Sequence, residues 1–326
     1  MASVVVPTYN RAHLLGRLFD ALAAQEEVGP FELIVVDNAS TDDTPAVLAR
    51  LAAESPLPVV TLHMTVNAGP SRARNVGWRA GRAEIVAFTD DDCVPQPGWL
   101  AGLLGRFETA DVVQGHTEPD PADGHVIGPF GRTVIVRAEH GHYETCNLAY
   151  RRDLLERLGG FDEQFHRVVG GAVTWGDDAD MGWRARKAGA RTAFADDALV
   201  LHGLRPSSFR RHLTEIPRRD GLVLMLRRHP DLRDFYYRKI WFSRTHPAAL
   251  ATVGIALGLA RRPRSRLRWC AAAGSVAVYT RACLRTRHWP ARRRDWVVQL
   301  PLAFVADLAE VAVFARASLR YRTLFL

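Results

Sequence analysis

Four cysteines in 326 residues, Cys93, Cys146, Cys270 and Cys283, are too few for a disulfide framework at this length, and none sits in a C-x-x-C pair or at a zinc-ligand spacing. The expectation is a reducing compartment and no structural zinc. No Walker A loop occurs, and the turn after the first apolar run, PTYNRAH, contains no glycine. That excludes the G-x-G-x-x-G approach to a pyrophosphate on which a dinucleotide-binding Rossmann domain depends. Met1 leads within two residues into SVVVP, leaving no room for a signal peptide and predicting a cytoplasmic first part. Apolar residues are not scarce: at 48% of the chain they exclude a disordered or fibrous protein and suffice for a large core or for one domain with an appendage.

Charge of one sign is scarce in each half. Residues 1–200 carry 18 Lys and Arg against 28 Asp and Glu, whereas residues 201–326 carry 25 against 7. An acidic body followed by a basic tail, divided near residue 205, points to two parts with different surroundings: nucleic acid, anionic lipid or an acidic partner for the tail.

Along the body, apolar runs alternate with helical periods. SVVVP is followed by HLLGRLFDALAAQ, ELIVVD by ASTDDTPAVLARLAAE, VVTLHM by GPSRARNVGWRAG, and EIVAF by an aspartate triplet. Strands apolar throughout are buried on both faces, and helices between them predict an α/β fold with a mostly parallel sheet. Ser40 or Thr41 can cap the second helix, with Pro45 in its first turn. In such sheets ligands bind beyond the carboxyl ends of the strands. Three of those ends are polar, PTYNR (7–11), DNAS (37–40) and TDDD (89–92), and all three are expected to open onto one crevice.

Asp90, Asp91 and Asp92 at a strand end repel one another unless they face water or share a cation, and carboxylate oxygens suit Mg²⁺ or Mn²⁺ with a diphosphate completing the shell. Arg72 and Arg74, at the start of a predicted helix, supply cations for the same anion. Asp37 can accept from a ribose or nucleobase, or it can close an Asx turn. A second acidic cluster, WGDDADMGWR, opens a short amphipathic helix, where Asp177, Asp178 and Asp180 either complement the helix dipole or include a general base beside an acceptor hydroxyl, with Trp175 as an apolar wall.

Together SVVVPTYNR, ELIVVDNASTDDT, NAGPSRARNVG, FTDDDCVPQPGWL, CNLAYRR, GGFDE with WGDDADMGWR, and LVLH resemble glycosyltransferase family 2, the inverting enzymes of GT-A fold, over about residues 2–205. The resemblance implies a nucleoside-diphosphate sugar donor, a hydroxyl acceptor and a divalent cation. It implies that the turn with Pro7, Tyr9 and Arg11, together with Asp37, holds base and ribose. Asp90 and Asp92 match the metal-binding acids, and Asp91 lies between them in the donor site. Asp178 matches the acid that takes the acceptor's proton, with Asp177 beside it, and His202 a histidine that in some members reaches metal or diphosphate. Asp177 stands where many members carry glutamate, leaving open which of the two acids is the base. A sugar-nucleotide-forming nucleotidyltransferase shares the architecture, and the glycine-free PTYNR argues against it.

Beyond residue 205 arginine dominates and three apolar stretches follow, 247–260, 267–284 and 296–315. The first is short, the second holds Arg281, and the third holds Asp307 and Glu310, so none is a clean span of ~20 residues. In the third, Gln299, Asp307 and Glu310 share one helical face opposite Leu, Val and Phe, as in a helix lying at an interface. The expectation is a catalytic domain over 1–205 and a basic helical region over 206–326. That region lies on or shallowly in the cytoplasmic membrane surface and presents the site to a lipid-linked or envelope-glycan acceptor. The alternative is a helical cap on a soluble enzyme with a small-molecule acceptor. No nucleic-acid-reading module is recognisable.

Overall fold

Runs of β-branched and other apolar residues form inner strands only where both faces are covered. In the computed structural model, which describes residues 1–123, 128–165, 168–169, 172–173, 176–205, 207–261, 266–287 and 295–326, they are. β1 (Ala2–Thr8) is buried at every position, and each of its valines contributes ~1.5–3 kcal/mol by leaving water. After α1 (Ala12–Ala23) the chain returns as β2 (Phe31–Asp37), equally buried, then α2 (Thr44–Glu54) and the partly exposed edge strand β3 (Val59–His63). Next come α3 (Pro70–Ala80), buried β4 (Ile85–Thr89), β5 (Cys93–Pro95), α4 (Trp99–Leu104), β6 (Val112–Pro119), β7 (Asn147–Arg151) and α5 (Arg152–Leu158). A short hairpin, β8 (Val168–Val169) and β9 (Ala172–Val173), precedes α6 (Asp177–Lys187) and β10 (Thr192–His202).

Eight of these strands form one sheet in the order β3-β2-β1-β4-β7-β6-β10-β5. The first four run parallel, β7 is antiparallel to both of its neighbours, β10 is parallel to β6, and β5 is antiparallel to β10. The sheet is therefore mostly parallel, with two reversed strands. The parallel register sets Thr8 opposite Asp37, so the carboxyl ends of β1 and β2 finish at one level. Gly77 of α3 sits where a Cβ would collide with Val5, which lets the helix press on β1.

The expected caps on α2 are corrected. Asp43 stands at its N-cap position without a side-chain cap, while the Ser40 hydroxyl accepts from the Asn10 N–H at 2.8 Å and the Thr41 N–H donates to Asn10 Oδ1 at 2.8 Å. With Ala39 in the left-handed region (φ 63°), the loop folds back onto the first turn before the helix begins. The polar residues of DNAST thus tie two strand ends together.

The chain divides into two compact units, one of Met1–Asp123, Thr133–His166 and Gly176–Gly203, the other of Gly124–Arg132, Arg167–Trp175 and Leu204–Leu326. In the second unit the main helices are α7 (Phe209–Glu215), α8 (Asp220–Arg228), α9 (Thr245–Arg261), α10 (Arg266–Thr286) and α11 (Trp296–Tyr321). By length and composition α11 is apolar enough to cross a membrane. Its acids lie inside the unit: Glu310 accepts from Arg219 at 2.7 Å and from His246 at 3.1 Å, and Asp307 from Tyr279 at 2.8 Å and Arg287 at 2.5 Å. Two guanidiniums answer two carboxylates, which is what burial of such acids requires. The other face of α11 leaves Val297, Val298 and Leu319 at 75%, 65% and 83% exposure.

Candidate active site

The three polar strand ends meet within the first unit. Asn10 adopts a positive φ of 53°, a conformation that asparagine tolerates, and this turns the chain sharply after β1 so that Tyr9 stays exposed and Arg11 heads α1. Pro7 is the penultimate, buried residue of β1. Asp37 is buried: its Oδ1 accepts from the Ser40 N–H at 3.0 Å and its Oδ2 lies 3.3 Å from His63 Nδ1. The turn-closing arrangement is therefore present, and it leaves lone pairs on both oxygens for a further donor.

The triplet after β4 separates into three environments. Asp91 is buried, accepts from the Thr8 hydroxyl at 2.8 Å, and is pushed up to about 7 by burial and by the neighbouring Asp92. Asp92 is also buried, with one oxygen 3.8 Å from Arg11 Nη1 and the other 3.7 Å from His202 Nε2. Asp90, the most exposed of the three, pairs with Arg74 at 3.0 Å. His202 reaches the triplet because β10 ends beside β5, with His202 opposite Cys93. The ligand atoms of Asp92, Cys93 and His202 lie within 4.8 Å of one another.

Gly176, at φ 125°, turns the chain into α6 so that Asp177 and Asp178 occupy its first turn. Asp177 is buried and held: its Oδ2 accepts from Ser71 Oγ at 2.9 Å and from Arg74 Nη1 at 3.3 Å. Arg74 is only 7% exposed and bridges the two acidic clusters, Asp90 through one terminal nitrogen and Asp177 through the other. Both carboxylates raise its affinity for its proton, against the effect of burial. Arg72, two residues earlier and so on the other face of α3, is exposed, 4.0 Å from Glu163, and stands apart from this group. Asp180 turns away to Arg184 at 2.7 Å. Trp175 lies outside the described residues.

Asp178 is partly exposed, accepts only from the Ala179 N–H at 2.9 Å among the described residues, and is pushed up to about 7 by the protein packed around its carboxyl and by Asp177, with Arg74 pulling the other way. A third carboxyl, absent from the sequence expectations, shares this space. Glu144, just before β7, is pushed up to about 8 by burial and by Asp178, and its Oε1 lies 3.5 Å from His140 Nε2. Also missed were Thr8 and Ser71, which hold Asp91 and Asp177, and Asn75, whose amide joins α3 to Phe161 at 2.8 Å. All three lay inside quoted motifs, so adjacency to a predicted ligand was the available signal.

Asp90, Asp91, Asp92, Asp177, Asp178 and Glu144 face two guanidiniums, those of Arg11 and Arg74, and a histidine. Acidic groups outnumber the cationic ones, and burying them together raises Asp91, Asp178 and Glu144, a situation that a bound dication would relieve.

A family model described as "Glycosyl transferase family 2" matches residues 3–159. Pre-mycofactocin glycosyltransferase of Mycobacterium tuberculosis is 29% identical over 225 residues, 61% of this chain and 42% of that relative, so the chain spans less than half of the relative's length. Among solved structures, the mannosyltransferase PcManGT of Pyrobaculum calidifontis, in complex with GDP-Man and Mn²⁺, superposes with a TM-score of 0.65 at 23% identity, covering 95% of this chain and 86% of its own. TarS of S. aureus in complex with UDP-GlcNAc gives 0.54 at 19% identity, covering 98% and 91%. The fold is GT-A, and residues 3–159 carry the match to the glycosyltransferase family 2 model.

Proposed function

We propose that the protein is a cation-dependent, inverting glycosyltransferase that moves a sugar from a nucleoside-diphosphate donor to a hydroxyl of a lipid-linked or envelope-glycan acceptor. The observation that carries this reading is Arg74, whose one buried guanidinium ties Asp90 of the first acidic cluster to Asp177 of the second. Donor phosphate and acceptor hydroxyl chemistry are thereby set side by side.

Asp92, Asp90 and His202 would hold Mn²⁺ or Mg²⁺. The fit rests, for Asp92 and His202, on ligand atoms that lie within 4.8 Å of one another and on an excess of buried acids that a dication would relieve; Asp90, paired with Arg74, joins them as the other outer acid of the triplet. When bound, the cation supplies charge neutralisation for the departing diphosphate. Arg74 adds a fixed positive charge at the same place. Asp91 keeps the turn after β1 in position through Thr8, so that Pro7, Tyr9 and Arg11, with Asp37, take the base and ribose, a role in which Arg72, paired with Glu163, has no part.

Asp178 acts as the base. Asp177 is committed to Ser71 and Arg74, whereas Asp178 keeps an available oxygen and an affinity for protons near neutrality. It takes the proton of an acceptor hydroxyl that attacks the anomeric carbon from the face opposite the diphosphate, and the configuration inverts. Asp177 fixes the orientation of Arg74.

Residues 1–205 form the catalytic domain in this reading, and 206–326 a basic helical region resting on the cytoplasmic face of the membrane. Exposed valines and leucines on α9, α10 and α11 support that placement. Product analysis tests the reaction: incubation with UDP-, GDP-, dTDP- and CDP-sugars and Mn²⁺ should release one nucleoside diphosphate, and Asp178→Asn should stop release while nucleotide still binds. Pyrophosphate release in a parallel incubation with nucleoside triphosphates and a sugar 1-phosphate, or full turnover by the variant, contradicts it.

A further inference from the structure

The helical unit contains a cavity of about 630 Å³ that the reaction does not use. It is lined by residues 235–238 and 242–244, which lead into α9, and by Thr286 at the end of α10; Tyr237, Arg238 and Arg244 carry its polar character. The guanidinium of Arg244 lies 5.3 Å from the centroid of the Tyr237 ring and that of Arg238 lies 5.5 Å from the same centroid. Two like charges are thus held against one ring. Neither forms a salt bridge among the described residues, whereas the adjacent Lys239 is paired with Asp234 at 2.5 Å. Arg238 also takes a positive φ of 50°, an uncommon conformation for a long side chain.

Independent features favour an anion here. Both arginines are exposed side chains on the rim of the cavity, free to turn toward an incoming anion, and Thr286 at the end of α10 closes its far side. Two planar forks match the oxygens of a phosphate better than those of any single carboxylate. Phe242 and the Tyr237 ring give the same cavity an apolar wall. α9 then leaves the cavity with Leu250 and Leu257 exposed, at 38% and 59%, which provides a path for an acyl or prenyl chain.

We infer that this cavity binds the phosphate headgroup of an anionic lipid, with Arg238 and Arg244 gripping the phosphate and the chain lying along α9. The inference deepens the membrane placement given above and rests on it for the source of the phosphate.

The test uses the full chain and soluble probes first. Isothermal titration with dihexanoyl phosphatidic acid should show saturable binding that weakens at least tenfold in Arg238→Ala/Arg244→Ala. The charge-matched control Arg210→Ala/Arg316→Ala, at exposed positions of the same unit, should bind as the parent does, and all three proteins should melt together. Equal affinity in the parent and the Arg238/Arg244 variant would overturn the assignment. Inorganic phosphate binding as tightly as the lipid would overturn the lipid source. Flotation with phosphatidylcholine vesicles, with and without phosphatidic acid, then separates the two readings: loss of flotation on all vesicles refutes the membrane placement, and a preference for phosphatidic acid that survives in the Arg238/Arg244 variant refutes the pocket.

Discussion

Replacing Arg74 by methionine removes the one charge that joins the two acidic clusters while keeping most of the side chain's volume. Asp177 is then left with Ser71 alone, and Asp90 with solvent. Loss of one partner from a buried ion pair costs ~3–5 kcal/mol, because the remaining carboxylate is desolvated without compensation. Asp90 is 27% exposed at its side chain and recovers part of its hydration, whereas Asp177 at 8% does not, so the lower end, about 3 kcal/mol, is expected. For a unit of this size that corresponds to a fall of ~6–12 °C in Tm. Urea unfolding and differential scanning calorimetry read both quantities. Adding Asp177→Asn to Arg74→Met removes the stranded charge and should restore at least 1 kcal/mol, a coupling that a double-mutant cycle isolates. A loss under ~1 kcal/mol for Arg74→Met, or a double variant no better than the single one, would refute the claim that Asp177 depends on this guanidinium.

Further outcomes follow from the same geometry. Because the Asp178 carboxyl is raised to about 7, it holds its proton below that value and is ionised above it, so kcat should climb as pH rises from 6 to 8; a profile flat across this range removes Asp178 as the base. Gly77→Ala forces a methyl against Val5 and should cost ~1–3 kcal/mol in urea unfolding with nucleotide affinity unchanged. Asn147→Ala strands the Trp99 indole N–H and the carbonyls of His116 and Ala198, and should cost ~2 kcal/mol or more by the same measurement.

The fold was legible because its signals were local and mutually consistent. Apolar runs without alternation, such as ELIVVD, are possible only in a sheet covered on both sides, and the polar residues at their carboxyl ends had to gather at one edge. The site was legible to the same extent. The Asp triplet and the pair at 177–178 announce themselves as charge that a core would not tolerate. What joins them did not: Arg74 was visible as a cation, yet its bridge between two clusters 103 residues apart is a product of tertiary packing. Glu144 was missed because a lone glutamate in a polar loop carries no signal until Asp178 is placed beside it. Ser40 misled for the converse reason, since a hydroxyl near a helix start is a cap by local rules and here answers a backbone N–H from another loop. In α11 the sequence pattern placed Asp307 and Glu310 on one face correctly, but only the arrangement of Arg219 and Arg287 shows that this face is turned inward.

The central claim is that the acidic cluster after β4 holds a nucleoside diphosphate through a divalent cation. Thermal stability in the presence of UDP, GDP, dTDP or CDP, each with and without Mn²⁺, tests it most directly, with Asp90→Ala/Asp92→Ala alongside. One nucleotide at about 100 times its Kd should add ~2.7 kcal/mol to the parent only when Mn²⁺ is present, and add nothing to the variant. Stabilisation that is indifferent to Mn²⁺, or that persists in the variant, would contradict the account.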